Sequence, residues 1–127
     1  MYLTIDTQKD QPIYEQIYRQ IVLGIGKGNL QPGEGLPSVR QMAEQLGVNM
    51  HTILKTYQLL KDHGYITMDR RIGAAVRSPL PEKDPSWMEE YKEEFTYLVA
   101  QGLVRGLSEE ELQEILSRIV TSFKGGL

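Results

Sequence analysis

The sequence predicts a mainly α-helical protein with one small β-hairpin: a winged helix-turn-helix followed by a two-helix dimerisation hairpin. Three observations point there. Two short amphipathic segments meet at Gly47-Val48-Asn49, the spacing of a helix-turn-helix. Directly downstream, a turn bearing Arg70 and Arg71 separates two apolar stubs, the signature of a hairpin. The three prolines of SPLPEKDP (78–85) then read as a linker ahead of two further runs of helical period. The expected division is 1–77, a linker at 78–85, and 86–127.

The first helix is expected in DQPIYEQIYRQIVLGIGKG (10–28). Asp10 can cap it, Pro12 suits its first turn, and Ile13, Ile17, Ile21 and Ile25 recur every fourth residue, widened by Tyr14, Tyr18 and Val22. The cluster GIGKG is not a phosphate loop, because it lacks the G-K-[ST] ending and follows a helix instead of a strand. NLQPGEGLP (29–37) is a loop by its Gly and Pro content. A short helix follows with Ser38 as its cap and Val39, Met42, Ala43 and Leu46 on one face. Gly47 ends it, since glycine turns the chain left-handed without steric cost. Asn49 can cap the next helix, whose core face carries Ile53, Tyr57 and Leu60 and which Gly64 ends. YITM and AAV flank the polar turn as two strands. Beyond the linker, Ser86 with Glu89 and Ser108 with Glu111 read as capping boxes opening two helices.

Composition narrows the function classes. The chain has 127 residues, 40% hydrophobic and 24% charged, which suits one domain or a small domain with an appendage. No apolar stretch approaches the ~18 residues of a membrane span, and MYLTIDTQKDQP lacks the basic start and apolar core of a secretion signal. With no cysteine there are no disulfides, no thiol catalysis and no cysteine-ligated zinc. A cytoplasmic location is the expectation, with no membrane partner. Two histidines are too few for a metal site, and no nucleophile–base pair or carboxylate dyad stands out, so neither an enzyme nor a cofactor is expected. The net charge of −3 is unevenly spread. Residues 1–80 hold nine Lys/Arg and seven Asp/Glu, and residues 81–127 hold five and ten. A phosphate-binding face needs only local positive potential, so the first segment can carry one.

The helix-turn-helix reading assigns a role to each residue at the junction. Ala43 must be small because the second helix crosses close above it, and Val48 and Ile53 fill the angle between the helices. The first residues of the second helix would then enter the major groove of double-stranded DNA. Asn49, His51, Thr52 and Lys55 stand there, and core packing does not call for them. Asn suits adenine bidentately, His and Thr can take base edges or phosphate, and Lys suits guanine or phosphate. Arg40, in the first turn of the preceding helix, can reach the backbone or a base. Arg70 and Arg71 can reach phosphate or the minor groove. Simpler roles exist beside these: Asn49 as a cap only, His51 and Lys55 as solvated residues, Arg70 and Arg71 as turn solubilisers. His63 is expected only to favour its helix dipole.

PIYEQIYRQIVLGIGKGNLQPGEGLPSVRQMAEQLGVNMHTILKTYQLLKDHGYI resembles the DNA-binding domain of the GntR family of bacterial transcription regulators, over about residues 10–77. LQPGEGLPSVRQMAEQLGV is its most specific part. A linker and two helices in place of a large effector domain resembles the YtrA-like subfamily, whose members dimerise through that tail. The resemblance implies DNA contacts at Arg40, Thr52 and their neighbours, Ser38 among them, and at the wing glycine, here Gly73. It also shows departures. Asn49-Met50-His51 replaces the family's usual Ser-Arg or Asn-Pro-Asn, and Arg71-Ile72-Gly73-Ala74-Ala75-Val76 replaces G-x-G-T-[FY]-V.

The tail is acidic outside and apolar within, and two helices alone cannot bury two apolar stripes. Trp87, Tyr91, Phe95, Leu98, Leu112, Leu116, Ile119 and Phe123 are therefore expected to form a homodimer seam, the alternative being a fold-back onto the winged domain. Gly102 and Gly106 are expected on one helix face, allowing a close helix approach. The function expected is a sequence-specific dimeric regulator, a repressor acting on a palindromic operator. The competing reading is a winged helix used as a protein-interaction module. Nothing in the sequence names a small-molecule effector.

Overall fold

The computed structural model describes residues 3–125 and divides the chain into two compact units, Met1–Pro81 and Glu82–Leu127. In the first, α1 (Ile13–Gly26), α2 (Val39–Leu46) and α3 (Met50–Asp62) precede an antiparallel hairpin of β1 (Ile66–Asp69) and β2 (Gly73–Val76). Ile17 and Ile21 of the isoleucine stripe are fully buried, and Ile13 and Ile25 pack at its edges. They meet Met42, Ile53, Tyr57 and Leu60, so α1 and α2 both pack against α3. Pro12, and not Asp10, stands at the N-cap of α1, and it supplies no side-chain bond there. Its locked φ of −56° suits a helix start, and it has no N–H to satisfy.

An N-terminal segment that periodicity did not flag is fastened to α1 by two glutamines one helical turn apart. The Gln16 amide accepts from Asp6 N–H and donates to Asp6 O, at 2.9 and 3.0 Å. The Gln20 amide does the same with Thr4, at 3.0 and 2.6 Å. Leu3 and Ile5 thereby turn onto the core.

Ser38 caps α2 in a reciprocal box, its Oγ accepting from Gln41 N–H while Gln41 Oε1 accepts from Ser38 N–H. Gly47 is left-handed (φ 68°, ψ 35°), and its N–H and that of Val48 both turn back to the Ala43 carbonyl. Ala43 is buried at this crossing, as the helix-turn-helix requires. Gly64 (φ 84°) follows α3 and lets Tyr65 N–H close on Leu60 O. Ile66 pairs with Val76 and Asp69 with Gly73. A third strand-like segment lies against β2: Gly33 N–H donates to Val76 O, Val76 N–H to Glu34 O, and Leu36 N–H to Ala74 O, each at 2.8 Å.

In the second unit, α4 spans Pro85–Val104 and α5 Glu109–Phe123. Helix α4 starts earlier than the box at Ser86 and Glu89 required. Pro85 takes the first helical position and the Asp84 carboxylate accepts from Trp87 N–H at 2.9 Å. The box at Ser108 and Glu111 is present. Gly102 does permit a close approach, since a Cβ there would lie 3.0 Å from Leu107 Cδ1 and 3.2 Å from Leu112 Cδ2. Gly106 lies beyond α4 in a left-handed turn (φ 90°), so the two glycines do not share a helix face. Neither helix contains a buried residue. Among the described residues, no helix is long and apolar enough to cross a membrane.

Candidate nucleic-acid interface

Helix α3 has two sides set by its 3.6-residue period. Ile53, Thr56, Tyr57 and Leu60 are buried; Met50, His51, Leu54, Lys55 and Gln58 are exposed, with Thr52 half-buried at the border. Thr56 is tolerated in the core because its hydroxyl donates to Thr52 O at 2.8 Å.

The exposed side carries the groups expected of it, with two qualifications that come from geometry. Asn49 Oδ1 accepts from His51 N–H at 2.7 Å, capping α3. A bidentate adenine contact by Asn49 would compete with that cap, whereas its Nδ2 donors are not used by it. Lys55 Nζ sits 4.1 Å from the centre of the Tyr14 ring on α1. That cation–π contact holds the ammonium over the neighbouring helix with ~0.5–1 kcal/mol, so a phosphate has to outbid it.

Ser38 and Arg40 open α2, and Arg40 is exposed. Arg70 and Arg71 are exposed at the wing tip, where Asp69 Oδ1 accepts from Arg71 N–H at 2.7 Å and Ile72 N–H at 3.2 Å. This turn shapes the tip without using the arginine side chains. Gly73 has φ 93°, and no atom lies within 4 Å of where its Cβ would be. Glycine is needed there for backbone conformation, not for room.

Loop 33–37 ties the three parts together. It pairs with β2 at the wing base, leads into Ser38, and its Pro37 carbonyl accepts from the Tyr57 hydroxyl of α3 at 2.7 Å. Burial pushes the Tyr57 phenol well above its ordinary pKa, keeping it a donor. At the far end of α3, the Tyr18 hydroxyl lies 2.6 Å from His63 Nδ1. His63 is thus bonded to α1 in addition to standing at the helix end. Burial, then the neighbouring Tyr65, raises the Tyr18 pKa from 10.0 to about 12.

Met50, Leu54, Gln58 and Ile72 were not singled out by sequence motif. The first three were readable by counting the helical period from Asn49. Ile72, 79% exposed, became visible only once the turn's geometry was known.

A helix-turn-helix with a polar second helix and an arginine-tipped hairpin wing is the architecture of a winged-helix transcription regulator. Residues 13–76 match the model of the bacterial regulatory proteins of the gntR family. The chain belongs to the gntR family. The Bacillus subtilis HTH-type transcriptional regulator YhcF, itself uncharacterized, is 36% identical over 121 residues, covering 94% of this chain and 96% of its own. The B. subtilis HTH-type transcriptional repressor YtrA is 33% identical over 128 residues, covering 98% and 96%. Among solved structures, a transcriptional antiterminator from Listeria monocytogenes EGD-e covers 98% of this chain and 94% of its own, with a TM-score of 0.89 at 28% identity. The DNA-binding domain of AraR, solved in complex with operator ORE1, matches 60% of this chain and 93% of its own, with a TM-score of 0.50 at 25% identity. The family and these relatives are transcription regulators, not enzymes.

Proposed function

We propose that this chain is a cytoplasmic repressor that binds a palindromic operator in double-stranded DNA as a homodimer. The observation that carries the DNA reading is the exposed face of α3, which presents His51, Lys55 and Gln58 beside Asn49 and Thr52, in a unit whose Arg40 and wing arginines are also exposed. Ser38, Arg40, Asn49, His51, Thr52, Lys55, Arg70, Arg71 and Gly73 form the contact set. Asn49, His51 and Thr52 read bases, while Ser38, the arginines and Lys55 position the backbone. Support for a repressor comes from the naming of YtrA, and support for operator DNA from the AraR complex.

The dimer reading rests on the second unit. Trp87, Tyr91, Phe95, Leu98, Leu116 and Ile119 are exposed, with Trp87 stacked on Tyr91 at 4.8 Å and Tyr91 tilted to Phe95 at 6.1 Å. Leu112 and Phe123 are half-buried within the unit and contribute less to a seam. Helices that leave this much apolar surface uncovered need a partner, and a second copy supplies a self-complementary one. Two recognition helices held by that seam double the site, with half-site grooves ~34 Å apart or a multiple of it. Selection from random DNA should return an inverted repeat. Sedimentation should give a dimer for the full chain and a monomer for a chain ending at Pro81. A full-length monomer, or a truncated dimer, would place the seam elsewhere.

A further inference from the structure

The large apolar side chains left exposed by the first unit include Leu23, Met50, Leu54, Ile72 and Leu80. Two of these lie one turn apart on α3, Met50 at 46% exposure and Leu54 at 37%. Neither serves the core, because the buried side of α3 is complete with Ile53, Tyr57 and Leu60. Their neighbours on the same face are His51, Lys55 and Gln58, so the pair, adjacent at i and i+4, forms one small apolar spot within a polar surface. A protein-docking site would need an apolar patch of several hundred Å², larger than two partly covered side chains offer. In a DNA major groove, by contrast, one base carries an apolar mark, the 5-methyl group of thymine.

Building on the DNA reading above, we propose that Met50 and Leu54 are specificity-determining residues that read thymine methyl groups. The polar side chains around them set hydrogen-bonded positions, and Met50 and Leu54 select thymine at the positions between. Leu54, second-turn and branched, takes a defined rotamer and demands one methyl. Met50, unbranched and at the helix start, adapts to its base step. The operator should accordingly contain at least one thymine per half-site whose methyl contributes to affinity although its hydrogen-bonding edge is not used.

The test uses the full-length protein and the duplex recovered by selection from random DNA. Each thymine is replaced in turn by deoxyuridine, which removes the methyl and leaves every hydrogen-bonding group. Binding should weaken about four-fold for each methyl read, the equivalent of ~0.8 kcal/mol for one buried carbon. The same replacement should have no effect on Leu54→Ala at one position and on Met50→Ala at another. Both variants should stay folded and melt within several degrees of wild type, since neither side chain belongs to the buried core. Uracil tolerated at every position, or a methyl effect unchanged in both variants, overturns the proposal while leaving DNA binding intact. If the variants bind DNA normally and instead lose a protein partner, the two residues form a docking site and the proposal also fails. A selection that returns no sequence removes the DNA reading and this one with it.

Discussion

Asn49 caps α3, and under the proposed DNA reading it also faces a base; three substitutions separate the two roles. Its Oδ1 accepts from His51 N–H at 2.7 Å and so satisfies one of the otherwise orphaned donors of α3. Asn49→Ala removes that acceptor at a cost of ~1 kcal/mol, within a range of roughly 0.5–2. Because α3 carries Ile53, Tyr57 and Leu60 into the core, fraying at its start loosens the whole first unit. For a domain of this size, 1 kcal/mol corresponds to a fall in Tm of ~4–8 °C. Asn49→Ser and Asn49→Asp are comparable caps and should melt within a few degrees of wild type, about the spread among good caps. Their DNA binding should differ. Serine lacks the amide donors, so loss of a base contact should weaken operator binding by ~1–3 kcal/mol. Aspartate keeps the cap but brings a negative charge toward phosphate, and should bind more weakly still. Melting followed by circular dichroism and titration of labelled operator by anisotropy measure both effects. Wild-type melting of Asn49→Ala would refute the cap argument. Wild-type affinity of Asn49→Ser would leave Asn49 a cap and nothing more.

Arg40→Ala should weaken operator binding by ~1–3 kcal/mol if Arg40 reads a base, or weaken all sequences equally if it holds phosphate, with melting unchanged in either case. A large drop in Tm with intact affinity would make Arg40 structural. Replacing Arg70 and Arg71 together by glutamine should flatten the log–log salt dependence of binding by up to about 4, counting two subunits. An unaltered slope would show that the wing does not touch the backbone. Tyr18 and Tyr57 hold their protons more tightly folded than unfolded. The Tyr18 contribution is complete below pH 10, its value when unperturbed, and is lost as pH climbs through about 12; that of Tyr57 persists to higher pH still. Alkaline unfolding should therefore coincide with the last tyrosinate absorbance to appear. Ionisation of all tyrosines at ordinary pKa in the folded chain would contradict the burial argument.

The sequence alone determined the elements and their order, because those depend on neighbours a few residues apart. The isoleucine stripe of α1, the left-handed Gly47, the small Ala43 and the arginines between two apolar stubs each act through local chain geometry. Local signals failed where the sequence offered two helix starts a few residues apart. Asp84 with Pro85 displaced Ser86 with Glu89 as the start of α4, and Pro12 stood where Asp10 was expected. The caps at Ser38, Asn49 and Ser108 were legible locally, but only the tertiary structure decided the partners that lie far away in sequence. Lys55 over Tyr14, Tyr57 on Pro37, Tyr18 beside His63 and the two glutamines clasping residues 4 and 6 join groups far apart in sequence. Hydrogen-bond and cation–π partners depend on distances of a few ångströms, which exist only once α1, α3 and loop 33–37 have packed. The same packing set how far Met50 and Leu54 stay uncovered, at 46% and 37%, although the helical period already placed both off the core face of α3.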